Sequence, residues 1–65
     1  MHAPTYTPAE VLTMLETATM DELLVLGHLV TDEREQYLQA FGLAASVKLL
    51  EAILEKSIEL QNLSN

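Results

Sequence analysis

The chain contains no cysteine, which excludes disulfide bridges and thiolate metal sites. Basic residues are nearly as scarce. Arg34, Lys48 and Lys56 face ten Asp and Glu, for a net charge of −7. Nucleic-acid affinity comes largely from Lys and Arg neutralising phosphates. Three scattered cations supply no such footprint, so direct DNA or RNA binding is not expected. The same balance argues against attraction to an anionic membrane surface. A protein with a basic surface is the better electrostatic match, because complementary charge speeds and orients encounter.

Long apolar runs are missing too. The longest, Leu23 to Val30, is interrupted by Gly27 and His28 and falls well short of the ~20 residues a membrane span needs. Residues 1–6 carry no basic stretch followed by an apolar one, so no secretory signal is read there and a cytoplasmic protein is expected. No glycine-rich phosphate loop, no nucleophile with a base at useful spacing and no metal-ligand cluster occurs. The reading is therefore of a non-enzyme without a cofactor. His28, flanked along the chain by Asp21 and Asp32, could form an acid–base pair or part of a metal site. It reads more simply as a surface histidine near a helix end.

What remains is a short chain with much to bury. Hydrophobic residues make up 49% of the 65 residues. A domain this small buries a modest share of its surface and usually needs a staple or a second subunit. With no covalent staple available, self-association is the expected solution.

Helix starts are legible. Thr7-Pro8-Ala9-Glu10 has Thr at the N-cap, Pro at the first helical position and Glu placed to close a capping box. Thr19-Met20-Asp21-Glu22 repeats the box without proline. Thr31-Asp32-Glu33 starts a third helix, with Asp32 and Glu35 as an alternative cap. These starts predict helices from Pro8 to Thr17, Met20 to Val30 and Asp32 to Gln61. The first is amphipathic, with Val11, Met14, Leu15 and Ala18 on one face. The second is apolar nearly all round, more than its own neighbours can cover. In the third, Gly42 and the small residues Ala44, Ala45 and Ser46 suggest close helix approach.

The long helix carries two apolar stripes. One holds Ala40, Leu43, Val47, Leu50, Leu54 and Ile58. The other holds Leu38, Ala45, Leu49, Ala52, Ile53, Leu60 and Leu63. Two stripes imply two packing surfaces, one for the same chain and one for a second copy or another protein. The expected fold is all-α, two short helices plus one long helix, a helical hairpin pairing into a dimeric bundle. Residues 7–61 form the single domain, 1–6 a flexible arm and 62–65 a frayed end.

The residues assigned to the dimer or partner interface are Leu24, Tyr37, Leu38, Phe41, Ala45, Leu49, Ala52, Ile53 and Leu60, with Tyr37 and Phe41 as aromatic anchors. Glu51, Glu55 and Glu59 form an acidic face for a partner with a basic surface. The expected function is a small acidic interaction module, an adaptor, inhibitor or chaperone-like regulator of the kind found among small bacterial and phage proteins. A small metal- or ligand-binding helical bundle is an alternative.

A second alternative comes from resemblance. The run from Leu12 to Leu24, with Ala18-Thr19-Met20-Asp21-Glu22-Leu23 at its turn, resembles the first helix junction of the Hha and YmoA family. Thr31-Asp32-Glu33 and the helix after it resemble that family's third helix. The likeness implies a helical modulator of gene expression that binds the nucleoid protein H-NS. The chain departs from the pattern in carrying Glu16-Thr17 where the family has basic residues.

Overall fold

The computed structural model describes residues 3–64, without the side chain of Ser64, and is all-α. Four helices follow one another: α1 (Pro8–Glu16), α2 (Met20–Asp32), α3 (Arg34–Phe41) and α4 (Leu43–Ser64). Both capping boxes form. Thr7 Oγ1 accepts from the Glu10 N–H at 3.2 Å while Glu10 Oε1 accepts from the Thr7 N–H at 2.9 Å. Thr19 and Glu22 repeat the exchange at 3.3 and 3.0 Å. Each box satisfies two donors that a bare helix start would leave orphaned.

The third expected start is not used as a cap. Thr31 instead bonds back to the Gly27 carbonyl at 2.8 Å, and α2 runs on to Asp32. Glu33 then joins α2 to α3 with no side-chain cap. Its carboxylate turns elsewhere and accepts from the Thr5 N–H at 3.0 Å and the Thr5 hydroxyl at 2.8 Å. The segment expected as a free arm is thus tied down at Thr5, and Tyr6 beside it packs on the core. Met1, His2 and Asn65 lie outside the described residues. At the other end, α4 continues past Gln61.

The single long third helix is corrected to two. Gly42 has φ +90°, a backbone conformation that side-chain-bearing residues rarely adopt. The ladder hands over there. The Gly42 N–H donates to the Leu38 carbonyl at 2.9 Å, and the Gly42 carbonyl accepts from Ser46 at 3.2 Å. A Cβ on Gly42 would meet nothing within 4 Å, so backbone conformation, and not close helix approach, is what calls for glycine.

α4 is the spine, ~33 Å long at 1.5 Å per residue, in a molecule measuring 42 × 19 × 17 Å. α1, α2 and α3 all pack along it. The core comprises Val11 and Leu15 of α1, Leu23, Leu26 and Val30 of α2, Tyr37 of α3 and Leu49 of α4. Ala18, between α1 and α2, is also buried. Lys56 fastens one edge, donating to the Glu16 carbonyl at 3.4 Å and pairing with Glu59 at 3.6 Å. A cation there meets the negative end of α1.

Candidate protein-interaction surface

Helical periodicity divides α4 into three sectors, and burial follows them. Ala45, Leu49, Ala52, Ile53, Lys56 and Leu60 turn inward and are buried or half-buried. Lys48, Glu51, Glu55, Glu59 and Asn62 form an exposed polar sector. Between these lies an exposed apolar stripe of Leu43, Val47, Leu50, Leu54 and Ile58, each 43–68% exposed. Charged or polar groups would normally occupy such positions on a solvated helix. The exposed aliphatics form a contiguous apolar patch at helical spacing, a feature that interaction sites use.

Within α4 the stripe expected at an interface turns inward instead, apart from Leu63, which is 75% exposed; Leu38 and Ala40, expected on the same two stripes, fall in α3. Leu49 is 1% exposed, and Ala52, Ile53 and Leu60 pack against the core. These interface candidates hold α4 to its own subunit. Ala45 is half-buried on the same side. Close approach favours this face, which carries the small Ala45 and Ala52 and meets α2 at Gly27, where a Cβ would stand 3.9 Å from Ile53, whereas the other stripe is built of large side chains. That contrast is the signal in the sequence that points to the outward face.

Tyr37 is likewise core, fully buried, with its ring centroid 6.3 Å from that of Phe41. Its hydroxyl has no hydrogen-bond partner among the described residues. Burial is the main cause that pushes its pKa up, helped by the charges of Glu33 and Glu10. The Tyr6 backbone amide opposes this without reaching hydrogen-bond geometry. Phe41, Leu38 and Leu24 are exposed. Leu24 borders a groove between α2 and α4 that also includes His28, Leu50 and Ser57. There it extends the apolar stripe sideways.

Glu51, Glu55 and Glu59 are exposed, next to the stripe. Among the described residues, no group of three or more His, Asp or Glu is placed to hold a metal ion, and no helix is long and apolar enough to cross a membrane. No protein-family model, curated protein or solved structure matches the chain. The likeness to the Hha family rests on the sequence patterns of residues 12–24 and of residues 31–33 with the helix after them.

Proposed function

We propose that this protein is a small acidic interaction module, a regulator or adaptor of another protein, and that it acts as a homodimer through the outward stripe of α4. The observation that carries the reading is the run of Leu43, Val47, Leu50, Leu54 and Ile58, all exposed on one subunit.

Magnitudes support a second copy as the occupant. Fully burying an exposed aliphatic side chain stabilises by roughly 1.5–3 kcal/mol. Five side chains about half exposed then contribute on the order of 4–8 kcal/mol per copy, and twice that when two identical faces meet. Association costs about 4–15 kcal/mol in lost freedom. A self-complementary pairing lies within that range, and Leu24 adds to it. The stripe itself carries no charge, so two copies at net charge −7 each can meet there with their carboxylates to the side. Glu51, Glu55 and Glu59 remain open to a partner with a basic surface.

Sedimentation equilibrium at tens of micromolar protein tests this. The expected result is a dimer for the native chain and a monomer for Leu54→Glu, with the helical melt of the variant intact because Leu54 is 61% exposed. A native chain that stays monomeric at such concentrations overturns the dimer.

A further inference from the structure

A second apolar opening lies on the other flank of α2. Met14 and Thr17 of the α1 end, with Asp21, Glu22, Val25 and Leu26 of α2, line a cleft of about 360 Å³. Val25 stands 67% exposed in the middle of α2, while Leu26 beside it is core. The groove between α2 and α4 uses a different set of α2 residues, Leu23, Leu24, Gly27, His28 and Thr31. Pairing through α4 and Leu24 would therefore leave the α1–α2 cleft open.

The chemistry of the rim selects the occupant. Asp21 and Glu22 line the cleft and are exposed, and no basic residue lines it among the described residues. The bonds of the Thr19 cap hold the Glu22 carboxyl below its ordinary pKa, and so ionised. The interior is apolar, and Met14 supplies an adaptable wall. With ten carboxylates against three cations, a second copy of this chain would bring like charge to that cleft. An apolar side chain with lysine or arginine beside it would be matched inside and at the rim.

We infer that the α1–α2 cleft docks an amphipathic, lysine- or arginine-bearing segment of a different protein, anchored by an apolar side chain against Val25 and Met14. This deepens the interaction-module reading by naming the partner's chemistry, and it stands whether or not the chain dimerises.

The test is amide NMR titration of the full chain with two synthetic helical peptides, one of leucine and lysine, the other with glutamate in place of lysine. The lysine peptide should shift Met14, Thr17, Asp21 and Val25 saturably, and should bind at least about tenfold more tightly than the glutamate peptide. Added salt should weaken it. Val25→Ser should reduce that binding about tenfold while leaving the sedimentation behaviour unchanged. Shifts confined to the α4 stripe, equal binding of both peptides (a purely apolar cleft), or an unaffected Val25→Ser variant would each overturn the inference. A monomeric chain that still binds at the cleft supports it, and a dimer that does not bind there refutes it.

Discussion

Leu49 and Leu50 are consecutive in α4 and face opposite ways, one into the core at 1% exposed and the other outward at 44%. Identical side chains thus have different work. Leu49→Ala removes buried methyl groups and leaves a cavity, and should cost about 2–5 kcal/mol, enough to threaten a small domain. Leu50→Ala should leave the unfolding free energy of the dilute chain within about 0.5 kcal/mol of native, and should weaken the pairing proposed through the α4 stripe. Denaturation and sedimentation of the two variants, run side by side, separate core from interface.

Tyr37 carries a buried hydroxyl without a hydrogen-bond partner among the described residues. Such a group costs about 1–3 kcal/mol when desolvated, so Tyr37→Phe should be neutral or stabilising by up to about 1 kcal/mol. The alkaline limb should also change. The folded pKa is raised above 10.0, so the unfolded chain ionises first. The native protein keeps its full stability below that value and loses it as pH rises beyond. Thermal melts between neutral and alkaline pH should show this loss in the native chain and a flatter profile in Tyr37→Phe.

The capping boxes predict the acid limb. Hydrogen bonds from the Thr7 backbone, then from its side chain, lower the Glu10 pKa below 4.5. The Thr19 backbone and side chain do the same for Glu22. A depressed folded pKa stabilises the native state above the unfolded value, and that contribution is lost as pH falls through the folded one. Helicity followed by circular dichroism should therefore decline below about pH 4.5. Glu10→Gln and Glu22→Gln should each be less sensitive to pH over the same window.

Gly42→Ala places a side chain on a residue at φ +90°. The space is open, so the cost is backbone strain alone, about 1–3 kcal/mol. A lowered melting temperature with unchanged helix content is the expected outcome. An unchanged melting temperature would mean that the α3–α4 break does not depend on glycine.

Much of this protein is written locally. Thr7-Pro8-Ala9-Glu10 and Thr19-Met20-Asp21-Glu22 start their helices where they stand, because a capping box is completed within one turn of chain. The two stripes of α4 follow from periodicity, and the acidic surface from composition. The rest needed the assembled subunit. Thr31-Asp32-Glu33 resembles a helix start, but the Thr31 hydroxyl donates back to the Gly27 carbonyl and α2 runs on to Asp32, while the Glu33 carboxylate holds Thr5, 28 residues away. Gly42 reads from the sequence as a packing notch, and only its φ of +90° shows it to be a break. Which leucine stripe turns inward is likewise not a local property, since both satisfy the helical period. The choice belongs to the three other helices, which close on the side where Ala45 and Ala52 let them approach Leu49, and so leave Leu43, Val47, Leu50, Leu54 and Ile58 in water.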